Sequence, residues 1–187
     1  MTRPPDAGPA AGEPPADPVR ARLVAAFPLV AGHPDVAGVL RDAELLALLG
    51  PALAAPFRDA GVTTVCAPEA RGPILGALVA RELDAGLVLL RKEARNHPGA
   101  DRTIVSDPTW RGRPERFLAR SFDLGPADVV LAVDDWITTG STLRAVRRAV
   151  IHAGARYAGA AVLVDKADPS TLRDLDVHRL VAFTDLV

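Results

Sequence analysis

The sequence predicts an α/β fold: a parallel sheet with helices on both faces. Two observations carry this. From Val62 onward the chain repeats an apolar run, a loop of small residues and an amphipathic segment. That is the strand–loop–helix order from which parallel sheets are built. The apolar runs also lack polar alternation. Val129-Val130-Leu131-Ala132-Val133 carries no polar side chain, as expected of a strand covered on both faces.

Residues 1–18 are rich in Pro, Ala and Gly, with Pro4-Pro5 and Pro14-Pro15 and no apolar periodicity. This composition predicts a disordered tail without chemistry of its own. Residues 19–187 are then one domain, divided into a small helical hood (19–60) and a core (61–187). In the hood, Val19 to Phe27 reads as a short helix and Gly32-His33-Pro34 as a turn. A longer helix is expected from Ala43 to Asp59, with Leu45, Leu46, Leu49 and Leu53 as its apolar face. Asp42 is placed to cap it, and Pro51 to end or bend it.

In the core, Val62 to Cys66 is the first strand and Ala67 to Gly72 its loop. A helix follows from Ile74 to Leu83, with Leu75, Leu78, Val79 and Leu83 on the buried side. Gly86 to Leu90 is a second strand, ending in Arg91-Lys92. Glu93 to Pro114 is a long polar stretch, a length that marks a functional or disordered loop. Arg116 to Ser121 reads as a strand leading into the turn at Leu124-Gly125-Pro126. Val129 to Val133, a helix beginning at Leu143 with Val146 and Val150 on one face, and the strands Tyr157–Val164 and Leu180–Phe183 complete the core.

The functional signal lies where the central apolar run ends. Asp134-Asp135-Trp136-Ile137 is followed at once by Thr138-Thr139-Gly140-Ser141-Thr142. Two carboxylates at the carboxyl end of a strand sit where α/β sheets bind ligands. The hydroxyl-rich loop opens a helix, whose first N–H groups lack intrahelical partners and whose dipole favours an anion. Glu69-Ala70-Arg71-Gly72 repeats the arrangement after the first strand.

These stretches resemble the type I phosphoribosyltransferases, the Asp134–Thr142 stretch their signature for phosphoribosyl diphosphate (PRPP). The resemblance implies a Rossmann-like parallel-sheet core with a small hood, and Mg²⁺-dependent transfer of a phosphoribosyl group to a base. It places Asp134 and Asp135 on the ribose hydroxyls and, through PRPP, on Mg²⁺. Thr138, Thr139, Gly140, Ser141 and Thr142 fall on the 5′-phosphate. Glu69, Ala70, Arg71, Gly72, Arg91 and Lys92 fall at the pyrophosphate, with a non-proline cis peptide at Ala70-Arg71 and Arg71 acting in catalysis.

Phe27 to Asp42 resembles the hood of the adenine branch, which would put Val39, Leu40 and Arg41 beside the base; a helix cap and a surface arginine are the plainer reading. Lys166 resembles the strand-end lysine of the hypoxanthine branch and would suit a 6-oxo group, or be a surface lysine. Trp136 stands where the family has a smaller aliphatic residue. Trp110, or a neighbour, takes the place of the flap glutamate of the adenine branch, with Glu115 nearby. Dimers are common in the family, so the resemblance also implies a homodimer.

Composition narrows the alternatives. A net charge of −1 over 187 residues gives no footprint for nucleic acid. One cysteine excludes an internal disulfide, and Cys66 reads as a small buried hydrophobe. No transmembrane-length apolar stretch and no signal-peptide pattern occur, so a soluble cytoplasmic protein is expected. The scattered histidines form no metal-ligand cluster. Three functions stay open: transfer to a purine, adenine ahead of a 6-oxopurine; transfer to another base; and a PRPP-binding regulator without catalysis.

Overall fold

The computed structural model describes residues 18–187; the expected tail lies almost wholly outside them. The elements in order are α1 Pro18–Ala26, a hairpin of β1 Leu29–Val30 and β2 His33–Pro34, α2 Val36–Arg41, α3 Ala43–Ala54, β3 Thr64–Pro68, α4 Gly72–Glu82 and β4 Gly86–Lys92. Then come β5 Arg102–Val105, β6 Arg116–Ala119, β7 Val129–Ile137, α5 Ser141–His152, β8 Arg156–Asp165, α6 Pro169–Asp174 and β9 Val177–Ala182.

The main sheet has seven strands in the order β5-β6-β4-β3-β7-β8-β9. From β4 to β9 the pairing is parallel, and β5 and β6 extend it antiparallel at one edge. Alternate residues of the central strands feed two cores, as the strand period requires. Leu131 and Val133 of β7, with Ala161 and Leu163 of β8, meet Leu45, Leu49, Leu53, Leu75 and Val79 from α3 and α4. Val130, Ala132, Ala160 and Val162 face the other way, onto Leu143, Val146 and Val150 of α5. Cys66 belongs to this second core, where burial pushes its thiol up to about 12 and Asp123 adds to the effect. It is a packing residue.

The strand order places the site. Strand β3 runs through α4 to β4 on one side, and β7 runs through α5 to β8 on the other. The sheet therefore has its topological switch between β3 and β7, where ligands bind in open α/β sheets. Pairing of β3 with β7 stops at Cys66 and Ala132, while β7 continues beside β8 to Ile137. Past Ala132 the two strands part, and the crevice opens there.

Several expectations need correction. The longer helix ends at Ala54, not Asp59. Pro51 stays inside it, and a 3₁₀ turn Ala55–Phe57 follows, with Pro56 in its first turn, where the missing N–H costs nothing. The segment 36–41, to which the sequence assigned no element, is the helix α2, capped by the Asp35 carboxylate on the Ala37 and Gly38 N–H groups. The polar stretch contains β5, whose Thr103-Ile104-Val105 pairs with β6. Strand β7 runs on through the two carboxylates, and α6 was not foreseen.

Asp42 serves as expected: its carboxylate accepts from the Glu44 and Leu45 N–H groups. Asp42→Ala should therefore lower stability by about 1 kcal/mol in urea unfolding, with Asp42→Asn close to wild type. An alanine variant as stable as wild type would remove the cap from the account.

Candidate active site

The crevice is a cleft of about 830 Å³. Its floor is the end of β7. Asp135 is buried, and its carboxylate accepts from Arg71 Nε at 2.5 Å. Asp134 is half-buried beside it. Burial, and next the Asp135 charge, push the Asp134 carboxyl well above the ordinary carboxylate range, and Glu115 adds to the rise. The arrangement distinguishes two adjacent acids: Asp135 is paired with a guanidinium, and Asp134 is under pressure to bind a proton or a cation.

One wall is the loop after β7. Gly140 is left-handed at φ +73° and N-caps α5 without a side chain of its own, and the Ser141 N–H meets Thr139 Oγ1 at a long 3.4 Å. A Cβ there would come within 2.5 Å of Thr171 Cγ2, so glycine is required by both conformation and space. Thr138, Thr139, Gly140, Ser141 and Thr142 all line the cleft. Thr139 Oγ1 donates to Ser141 Oγ at 3.0 Å. Uncapped helix N–H groups with flanking hydroxyls form a cradle for a phosphate.

The opposite wall is the loop after β3, from which Glu69, Ala70 and Arg71 line the cleft. The non-proline cis peptide is Glu69-Ala70, one bond earlier than expected. Helix α4 also starts without a side-chain cap. Gly72 does not line the cleft but packs behind it. A Cβ there would lie 3.1 Å from the Val133 carbonyl and 3.2 Å from Asp134 Oδ1, so its role is close approach of the loop to β7. Arg91 is likewise behind the wall. Its Nε donates to Glu69 Oε1 at 2.9 Å, and Nη1 donates to the Asn96 carbonyl. The Lys92 N–H donates to Glu69 Oε2. Burial alone would raise the Glu69 carboxyl, but these donors and the Arg91 charge outweigh it and hold it below the usual range.

Lys92 reaches the cleft with its Nζ 3.2 Å from Glu115 Oε1. Glu115, passed over as a site residue in the sequence, itself lines the cleft. The β5–β6 connection is a hairpin whose root pairs Ser106 with Glu115: the Ser106 N–H donates to the Glu115 carbonyl, and the Glu115 N–H donates to Ser106 Oγ. Its tip brings Thr109, Trp110 and Arg111 to the rim, with the Arg111 guanidinium 4.8 Å from the Trp110 ring centroid.

The far end of the cleft is apolar and aromatic. Trp136 packs on Phe183 with ring centroids 6.0 Å apart, and Lys166 Nζ lies 4.0 Å above the Phe183 ring. His33 and Pro34 of the hood hairpin also line the cleft. Val39, Leu40 and Arg41 are not among the lining residues. Val39 is fully buried in the hood core and Leu40 packs against it. Arg41 opens on a separate hood cleft with Asp35 and Asp42. Helix formation by 36–41 turns this run inward, which the sequence did not signal. Phe183, at the end of the last strand, was the legible clue to the aromatic end.

No group of three or more His, Cys, Asp or Glu suited to a metal occurs among the described residues. Asp134 and Asp135 offer hard oxygen donors at one point only. They fit a Mg²⁺ ion that takes most of its ligands from a substrate and from water.

Comparisons with known proteins agree with this geometry. Residues 44–182 match the family described as phosphoribosyl transferase domain. The adenine phosphoribosyltransferase of Symbiobacterium thermophilum is 32% identical over 148 residues, covering 79% of this chain and 85% of that protein. That of Streptomyces coelicolor is 38% identical over 131 residues, 70% of each chain. The crystal structure of adenine phosphoribosyltransferase from Rhodothermus marinus superposes with a TM-score of 0.74 at 29% identity, covering 88% of this chain and 98% of the other. The domain match spans the sheet, both loops and the paired acids: the chain belongs to the phosphoribosyltransferase family.

Proposed function

We propose that the protein transfers the 5-phosphoribosyl group of PRPP to a purine base, adenine foremost, with release of pyrophosphate. The observation that carries this reading is the pair of anion cradles on either side of the two aspartates. The α5 loop suits the 5′-phosphate. Arg71 and Lys92 suit the pyrophosphate. The ribose then spans Asp134 and Asp135, and C1′ points toward the aromatic end formed by Trp136 and Phe183.

The residues divide the work by charge. Arg71 and Lys92 stabilise the departing pyrophosphate as its bond to C1′ lengthens. Positive charge develops on the ribose, and the two aspartates lie on the side where they favour it. A nitrogen of the base attacks from the aromatic end. Lys92 is held by Glu115 in the free protein, so arrival of pyrophosphate exchanges one carboxylate partner for a more highly charged one. The Thr109–Arg111 rim is placed to limit water, which would compete with the base for C1′. Asp134 and Asp135 are the residues that would hold a Mg²⁺ ion brought with PRPP, and such an ion would supply Lewis-acid stabilisation of the leaving group's charge.

The names of the relatives support adenine. One observation favours a second acceptor: Lys166 offers only donors at the base end, which suits a 6-oxopurine carbonyl. Two further readings accompany the proposal. Among the described residues no helix is long and apolar enough to cross a membrane, which supports a site of action among soluble cytoplasmic metabolites. Exposed Ile74 and Leu87, on the packed pair α4 and β4, support a homodimer, checked by sedimentation.

Incubation with PRPP, Mg²⁺ and a panel of adenine, hypoxanthine and guanine should release pyrophosphate fastest with adenine; PRPP binding without turnover on any base would leave only a regulator. Arg71→Ala should weaken pyrophosphate binding about 10- to 100-fold, since it removes a charge-assisted contact and frees buried Asp135. Binding within twofold of wild type would detach Arg71 from that end.

Asp134 gives a prediction with a defined sign. Its folded carboxyl is raised, so its ionisation destabilises the free protein, and this cost grows as pH rises above the unfolded value of about 3.9. Asp134→Asn should raise Tm at pH 7, with the gain vanishing below about pH 4, while turnover falls at least ~100-fold. A variant that loses Tm at neutral pH would contradict the electrostatic assignment.

A further inference from the structure

Arg144 touches the phosphate cradle from behind and does not line the cleft. Its Nη2 donates to the Thr139 carbonyl at 2.5 Å. Its Nη1 lies 3.0 Å from where a Cβ on Gly140 would be, so the guanidinium packs directly against the glycine that shapes the loop. On its other edge, Nε faces Asp107 Oδ2 at 3.4 Å. Asp107 is the first residue past the Ser106–Glu115 root of the hairpin whose tip lines the cleft. The same carboxylate oxygen accepts from Arg148 Nη1 at 3.3 Å, and Arg148 Nη2 donates to the Val105 carbonyl at 3.0 Å. Two arginines one turn apart on α5 therefore hold the hairpin root, and one of them also holds the phosphate loop. The guanidinium is flat and rigid, with its donors in a fixed fork. A shift of the Thr139 carbonyl on one edge is felt at Asp107 on the other.

We propose that Arg144 is a positioning residue that couples the 5′-phosphate loop to the cleft hairpin through Asp107, so that occupation of the loop by a phosphate settles Thr109–Arg111 over the cleft. The inference rests on the reading of the α5 loop as the 5′-phosphate site. It adds that the two ends of the donor are not equivalent: the 5′-phosphate end settles the hairpin through Asp107, whereas pyrophosphate, by drawing Lys92 from Glu115, removes a contact at the hairpin root and does not settle it.

The test uses ribose 5-phosphate, which carries the 5′-phosphate without base or pyrophosphate, and trypsin. Arg111 is exposed at the hairpin tip, and cleavage after it can be followed by mass spectrometry. In the wild-type protein, saturating ribose 5-phosphate should slow that cleavage about tenfold, and pyrophosphate should not, because protection follows the population of the settled hairpin. Asp107→Ala removes a half-exposed side chain and leaves the Arg144–Thr139 bond. It should keep ribose 5-phosphate affinity within about twofold and lose the protection. Arg144→Gln should weaken ribose 5-phosphate about tenfold, leave pyrophosphate within about twofold, and lose the protection. Arg144→Lys should recover the affinity, since an ammonium can still donate to Thr139, and not the protection, since it cannot bridge both acceptors.

Full protection in Asp107→Ala overturns the coupling. So does equal weakening of ribose 5-phosphate and pyrophosphate in Arg144→Gln, which marks a general structural role. A wild-type protein that turns over PRPP without any ribose 5-phosphate protection overturns the inference alone. A protein that neither binds nor turns over PRPP overturns the underlying reading, and the inference with it.

Discussion

The ion pair between Arg71 and Asp135 is the constraint on which the site depends. It joins the loop after β3 to the end of β7 at the point where those strands cease to pair. Without it, a buried carboxylate would stand uncompensated beside a second one, a cost of several kcal/mol. With it, Asp135 is paired and fixed in direction, and the electrostatic pressure falls on Asp134. The same guanidinium faces the cleft, where an incoming anion competes for it. One bond thus ties the two halves of the sheet, sets which aspartate is strained, and aims positive charge into the site.

Around the rest of the cleft a similar logic holds for three further cationic groups, each of which already has an anionic neighbour. Lys92 is held by Glu115, Arg91 by Glu69, and Arg144 by Asp107. A chain of nearly zero net charge can then carry a site for a highly anionic substrate without a surface-wide positive field. On the proposed function, selectivity for the donor rests on the spacing of the exchangeable cations and the two helix starts across the switch point, not on bulk charge. The aromatic end lacks such pairing. There Trp136 and Phe183 offer an apolar surface, and Lys166 contributes a cation that sits on the Phe183 ring.

Much of this was legible in the residues. The unbroken apolar runs reported strands buried on both faces, and the order of paired acids followed by a hydroxyl-rich loop located the cleft wall at the start of α5, because both signals are local in sequence. The hood was less legible. Val39, Leu40 and Arg41 read as base contacts, yet the Asp35 cap folds them into a helix that turns Val39 into the core. Whether a short run coils or extends depends on what it packs against, and that is nonlocal. Glu115 and His33 were not assigned to the site for the same reason: each reaches the cleft through hairpin geometry between segments distant in the chain. Gly72 and Arg91 belong to the site's neighbourhood but act behind its wall, a distinction that spacing along the chain does not carry.

The central claim is that two separate anion cradles flank the aspartates. It is tested most directly by calorimetric titration of ribose 5-phosphate into protein saturated with pyrophosphate and Mg²⁺, compared with protein lacking pyrophosphate. Two cradles predict that both ligands bind together, with ribose 5-phosphate affinity unchanged or improved. Mutual exclusion, with ribose 5-phosphate binding abolished by pyrophosphate, would mean that one cradle serves both anions and would contradict the account.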